Sequence, residues 1–254
     1  KNITVAGSGV TITNGIVKLT SGASGSAVHD LKIRNTESYH QGIYLLGATN
    51  CEIYGNDIIN QGQSSYAIAL IEGSDYNLIH DNTLQCKGAD YGHGTRSTSV
   101  MLLGRSNNNI IENNAIKSDD ANAIYLSSYS GGEFKGGESY NNIIRYNTIQ
   151  YMVNVTSWAY GVQLMGGNNT VESNKIYGAY RGVSSSDFPS NKIINNTIFV
   201  TGFDFSSGEF SGGDYGIALA SNATVKDNTI TGYFVGSGIS VGDYSVVENN
   251  FVNA

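Results

Sequence analysis

The segment Asn141-Asn142-Ile143-Ile144-Arg145-Tyr146-Asn147-Thr148-Ile149 carries a kernel, aliphatic-x-x-Asn-x-aliphatic, that returns along the chain. Ile53…Asn56…Ile58, Ile79…Asn82…Leu84 and Ile111…Asn114…Ile116 precede it. Val171…Asn174…Ile176, Ile193…Asn196…Ile198, Val225…Asn228…Ile230 and Val247…Asn250…Val252 follow it. Successive asparagines lie 26, 32, 33, 27, 22, 32 and 22 residues apart, so 22 residues is the bare unit and longer intervals carry insertions. An earlier segment, Leu31-Lys32-Ile33-Arg34-Asn35, fits one residue short and reads as a degenerate unit. A repeat of this length is one supersecondary unit, which buries its apolar side only against its neighbours.

Alternate residues within each unit are apolar, which is the period of a strand. A further strand of the form small-aliphatic-x-aliphatic recurs as Gly42-Ile43-Tyr44-Leu45, Ala67-Ile68-Ala69-Leu70, Gly161-Val162-Gln163-Leu164, Gly216-Ile217-Ala218-Leu219 and Gly238-Ile239-Ser240-Val241. Short strands parted by Gly/Asn/Ser corners at this period predict an all-β fold, a right-handed single-stranded parallel β-helix of about nine coils. The solenoid is expected to occupy residues 1–254 as a single domain, with inserted loops at 85–98, 127–140, 150–160 and 199–214. Asparagine suits the corner for two reasons. It tolerates a left-handed or bridge backbone, and its amide can donate and accept along the axis to the next coil. Asn56, Asn82, Asn114, Asn147, Asn174, Asn196, Asn228 and Asn250 are therefore expected to form a ladder.

Composition narrows the function classes. Charged residues make up 14% of the 254, against roughly 25% in ordinary soluble domains. A net charge of -7 disfavours nucleic acid, which demands a basic footprint. No apolar run reaches the roughly 18 residues of a membrane span. The chain opens Lys1-Asn2-Ile3-Thr4-Val5 without a basic and then apolar leader. No cofactor motif is present, and the two cysteines, Cys51 and Cys86, match no metal spacing. They fall at different points of the coil, so no intrachain disulfide is expected.

The repeated N-N-x-[IV]-x-x-N-x-[IV] lines, such as Asn141 to Ile149, resemble the parallel β-helix repeats of the pectin-lyase-like superfamily, particularly its NosD-type or carbohydrate-binding-and-sugar-hydrolase repeats. They also resemble repeats of archaeal, especially methanogen, adhesin-like and sheath proteins. The resemblance covers nearly the whole chain. It implies the fold, and an extracellular or cell-surface setting, but not one activity, because that superfamily spans lyases, hydrolases, epimerases, adhesins and surface-layer proteins.

Two residues before each ladder asparagine, the outward positions read Tyr54, His80, Glu112, Arg145, Glu172, Ile194, Lys226 and Glu248. His80, Glu112, Arg145 and Glu172 are the best catalytic candidates. A polysaccharide lyase needs a group that neutralises a uronate and an Arg, Lys or His that takes the C5 proton. Alternation of sign suits cross-coil pairing better than a metal cluster, so pairing is the expected role and no metal site is expected.

Loop and edge aromatics form a second candidate surface: Tyr66, Tyr91, Tyr151, Trp158, Tyr160, Phe203, Phe205, Phe210 and Tyr215, with His93 and Arg96 nearby in sequence. Such rings serve sugar stacking or subunit contact. Sequons at Asn2, Asn154, Asn168, Asn195 and Asn222 are glycosylation candidates on corners and loops, although 29 asparagines yield about that many by chance. The last line, Val246 to Val252, is still in register near the end of the sequence and no amphipathic helix caps either end. Either the chain is a fragment or neighbours cover its ends.

The expected function is a non-catalytic extracellular structural or adhesin-like surface protein. Self-association, end-to-end or side-by-side, would build a sheath, layer or filament. The alternatives are a polysaccharide lyase or other uronate-acting enzyme, and a carbohydrate-binding module for a cell-surface glycan.

Overall fold

The computed structural model describes residues 2–37, 40–62, 65–86, 98–103, 105–119, 122–127, 137–152, 159–185, 187–201, 214–233 and 236–253. These residues wind as a right-handed parallel β-helix with three strands per coil. In one coil the strands are Glu52–Tyr54, Asp57–Asn60 and Tyr66–Ile71. Stacking gives a first sheet of ten parallel strands, from Thr4–Ala6 to Val246–Glu248, and a second of ten, from Thr11–Thr13 to Phe251–Asn253. The third has nine, from Val17–Thr20 to Ile239–Val241. The ten strands exceed the about nine coils expected by one, because the first coil carries no corner asparagine. In the second, the kernel is Val28…Leu31…Ile33, with Leu31 at the corner, rather than the Leu31–Asn35 alignment read from sequence.

Each strand aims one column into the rod. Ile53, Ile79, Ile111 and Ile144 stack in the first sheet, and Ile58, Leu84, Ile116 and Ile149 in the second. All but Ile116 are fully buried, and Ile116 nearly so. Burying such a side chain contributes roughly 1.5–3 kcal/mol, so the aliphatic columns are the main source of stability. The small residue just before the first inward aliphatic of most third-sheet strands has a steric cause. A methyl on Gly182 would lie 2.4 Å from the Gly216 carbonyl oxygen and 2.5 Å from Ile198 Cγ2. Gly161 and Gly216 are similarly tight, so at these three positions even an alanine methyl would force a neighbour to move.

The corner asparagines, all buried except the half-buried Asn250, are joined along the axis. Asn147 donates from its backbone N and from Nδ2 to Asn174 Oδ1, and receives the same pair of bonds from Asn114. Its Nδ2 also reaches the carbonyls of Arg145 and Ile111. The same pattern links Asn56 to Asn82, Asn82 to Asn114, Asn174 to Asn196, Asn196 to Asn228 and Asn228 to Asn250. The left-handed backbone expected of these asparagines lies one residue earlier. Asp30, Gly55, Asp81, Asn113, Tyr146, Ser173, Asn195, Asp227 and Asn249 all have φ between 52° and 63°. The turn needs that residue to reverse the chain, which frees the asparagine to point its amide inward.

A second ladder, absent from the reading of the sequence, runs five residues before the first. Asn77 bonds to Asn109, Asn109 to Asn142 and Asn142 to Asn169, side chain to side chain. The Asn169 backbone N then donates to Asn191 Oδ1. Cys51 occupies the same column and donates its backbone N to Asn77 Oδ1 at 2.8 Å. Cys86 lies elsewhere, between Asn60 and Ser118 on the second sheet. Both cysteines are buried and no disulfide joins them.

Candidate functional site

The first sheet's outward column is in register through His29, Tyr54, His80, Glu112, Arg145, Glu172, Ile194, Lys226 and Glu248. The strand geometry therefore brings His80, Glu112, Arg145 and Glu172 side by side in four successive coils. Their polar atoms are occupied by one another and by near neighbours. Arg145 Nε donates to Glu112 Oε2 at 2.6 Å, and its Nη1 lies 3.8 Å from Glu172 Oε1. His80 Nδ1 meets Asp81 Oδ2 at 2.7 Å and its Nε2 meets Glu52 Oε1 at 3.0 Å. Lys226 pairs with Glu248 at 3.5 Å.

Two electrostatic consequences follow. Partial burial works against the His80 imidazolium, but the hydrogen-bonded carboxylates of Asp81 and Glu52 outweigh it and raise its pKa above the ordinary histidine value. The Glu112 hydrogen bond likewise raises Arg145. Both shifts favour the protonated form. His29, Tyr54 and His80 extend the column as a stack, with ring centroids 4.7 and 5.2 Å apart and planes within 10°. Their faces cover one another, leaving ring edges toward solvent.

The aromatic candidates divide. Tyr91, Trp158, Phe203, Phe205 and Phe210, with His93 and Arg96, lie outside the described residues, as does most of each expected loop. Tyr151 and Tyr160 are buried, and the Tyr151 hydroxyl donates to the Tyr160 carbonyl. Their burial leaves little of either ring exposed, where the sequence placed them among the contact residues. Tyr66 opens a third-sheet strand half-buried, and burial, then the neighbouring Tyr125, pushes its hydroxyl up to about 12.

Tyr215 belongs to a cluster that the sequence reading missed. Arg181 pairs in register with Tyr160 on one side and Tyr215 on the other. Its Nε donates to Asp214 Oδ2 at 2.7 Å, its Nη1 donates to the Tyr160 hydroxyl, and the guanidinium lies 4.9, 5.8 and 5.7 Å from the rings of Tyr160, Tyr180 and Tyr215. The signal was present: Arg181 stands two residues before Val183, as Tyr160 stands before Val162. The charge is spent on holding this corner together.

Among the sequons, Asn154 lies outside the described residues and Asn2 is exposed near the start of the chain. Asn168, Asn195 and Asn222 are exposed at left-handed corners. Among the described residues no group of three or more His, Cys, Asp or Glu is placed to hold a metal ion, and no helix is long and apolar enough to cross a membrane.

A family described as the right handed beta helix region matches residues 14–198 and 93–253. No curated protein matches the sequence. Among solved structures, the chain resembles a variant of the periplasmic alginate epimerase AlgG, with 14% identity and a TM-score of 0.56 over 88% of this chain and 50% of that one. It also resembles an alginate lyase from Paenibacillus sp. str. FPU-7, with 12% identity and a TM-score of 0.55 over 100% of this chain and 87% of that one. The chain thus spans half the length of the epimerase. At these identities the likeness is one of fold.

Proposed function

The chain belongs to the right-handed β-helix family, and on that footing we propose that it is a non-catalytic structural solenoid of the cell surface or extracellular space. The archaeal adhesin-like and sheath proteins are the setting that its repeat lines resemble. One observation carries the reading: the candidate acid–base groups of the outward column are consumed in pairing. His80 has a carboxylate on each ring nitrogen and Arg145 lies between two glutamates. Opposite charges opposed across coils contribute about 0.2–1 kcal/mol each and penalise slippage of one coil against the next.

Coil-on-coil stacking supports self-association. Each coil covers the apolar face of its neighbour in strict parallel register, and a coil from a second copy would meet the same geometry. Strand addition of this kind pairs the free backbone edge and covers apolar surface together.

Electron microscopy across a concentration series, with light scattering, tests the assembly. Filaments, tubes or sheets are expected, and a monomer that stays monodisperse would overturn self-association. A panel of uronate polysaccharides followed by ultraviolet absorbance of the unsaturated product tests catalysis. Turnover that disappears in Arg145→Ala would overturn the non-catalytic reading.

A further inference from the structure

The outer face of the first sheet has a second outward column, two residues before the charged one. In the fourth, fifth and sixth of its ten strands that column is aliphatic. Leu78, Ile110 and Ile143 stand there in register, half-buried, each pointing away from the rod's core. Thr170 and the exposed Lys192 continue the column in one direction, and the exposed Glu52 ends the stripe in the other. An aliphatic stripe thus runs beside a column of alternating charge.

Such a face can meet a second copy of itself about a two-fold axis lying in the contact plane. With the axis along the rod, the two columns exchange places and the stripe lies against charges. With the axis along the strands, each column faces itself and the order of coils is reversed, so apolar meets apolar. The charges then fix the register. When the axis passes between the fifth and sixth strands, Ile110 faces Ile143 of the second copy, and Glu112 faces its Arg145. One coil further out, Leu78 faces Thr170 and His80 faces Glu172. Beyond them Glu52 meets Lys192, and Tyr54 meets Ile194. Over these six coils every ionic group of the two columns faces its opposite. Sliding by one coil sets Arg145 against Arg145 with Glu112 against Glu172, or Glu112 against Glu112 with His80 against Arg145. Sliding by two sets Ile110 against Lys192, or Ile143 against Glu52.

We propose that two copies of this chain pair side by side through these faces, with their rods antiparallel and the two-fold axis between strands Ile110–Glu112 and Ile143–Arg145. The inference rests on the self-association proposed above and adds its face, direction and register. Ten strands about 4.8 Å apart and roughly five residues across give a face of about 45 by 16 Å, close to the roughly 800 Å² that a standard interface takes from each partner. The aliphatic stripe supplies the apolar centre of the contact. The pairs within each copy survive. Arg145 keeps Glu112 of its own copy at 2.6 Å and gains that of the other, which places four charges of alternating sign around the axis. Like-charge opposition excludes the slipped registers.

Sedimentation equilibrium of the full chain across a concentration series tests the pairing, with Glu112→Arg, Arg145→Glu and their equimolar mixture alongside. The wild type is expected to dimerise reversibly. Each variant alone should associate at least about tenfold more weakly, because symmetry repeats its like-charge contact twice. The mixture should regain association, since each variant supplies the charge that the other lacks at both contacts. Damage confined to one copy would not be repaired by mixing. Lys192→Glu changes an exposed residue, so it should keep the wild-type melting temperature and still weaken the dimer by opposing Glu52. A monomer at every concentration would overturn this pairing and the self-association beneath it. Association unchanged in Glu112→Arg and Lys192→Glu would overturn the face alone and leave coil-on-coil stacking standing. A mixture no stronger than its two components would overturn the register.

Discussion

Asn147 gives two hydrogen bonds to a single atom of Asn174: its backbone N and its Nδ2 reach Oδ1 at 2.9 and 3.0 Å. Leucine at 147 would keep the backbone bond and lose every side-chain one, leaving the Arg145 and Ile111 carbonyls and the Asn114 donors short of partners. Asn147→Leu should destabilise by about 1–3 kcal/mol. Arg145→Ala, two residues away on the partly exposed outer face, should cost well under about 1 kcal/mol. Thermal or urea melts compare them, and equal effects would contradict the separation of buried ladder from surface pairing.

Cys51 interrupts the second ladder at a place where asparagine would find partners. Its backbone N already bonds Asn77 Oδ1, and its thiol lies 3.6 Å from the Ala23 carbonyl, a weak contact that an amide could improve. Cys51→Asn should be stabilising by roughly 0.5–1.5 kcal/mol, the net worth of a satisfied buried hydrogen bond. A fall in melting temperature would mean that the column accepts only a small side chain there.

Glycine columns can be told apart by substitution. Gly182→Ala pushes a methyl to 2.4 Å from the Gly216 carbonyl and should destabilise by about 1–3 kcal/mol, in the range of core overpacking. At Gly22 a methyl meets nothing within 4 Å, and Gly22→Ala should be neutral or slightly stabilising. Both are read from denaturant midpoints on the same protein.

His80 should give the molecule a measurable pH dependence. Its folded pKa is raised, so the stabilisation it brings is fully present below the unfolded value of about 6.5 and is lost as pH rises through the folded value. The groups facing it are Asp81, Glu52, Tyr54 and Glu112. The melting-temperature gap between wild type and His80→Gln should be widest near about pH 6 and shrink toward alkaline pH. A gap that widens with pH would mean that the neutral imidazole is the form held.

The coil was legible because one requirement, an aliphatic pair straddling a buried amide, repeats at eight corners with little variation. The second ladder was harder to see because Cys51, Ala223 and Ser245 break its asparagine column, and polar small residues pass for ordinary turn composition. The left-handed position admits Asp, Gly, Asn, Tyr and Ser, so its identity varies too much to betray it. His29 was missed because Leu31 replaces the asparagine in its coil and shifted the reading frame. Tyr160 and Arg181 show the remaining limit: strand alternation says that a residue points away from the rod's core, but not that another segment packs over it.

The ladders also give the rod a direction. From Asn56 to Asn228, each rung gives its backbone N and Nδ2 to the Oδ1 of the rung that follows. The amide dipoles therefore align like those of a helix and reinforce one another along the axis. At the corner ladder's first rung Asn56 Oδ1 accepts from the Leu31 backbone N, and at its last Asn250 Nδ2 donates to the Val225 and Glu248 carbonyls. A coil that continued the ladder would have to run in the same direction as the coils it joins, because a reversed one would set like groups against like.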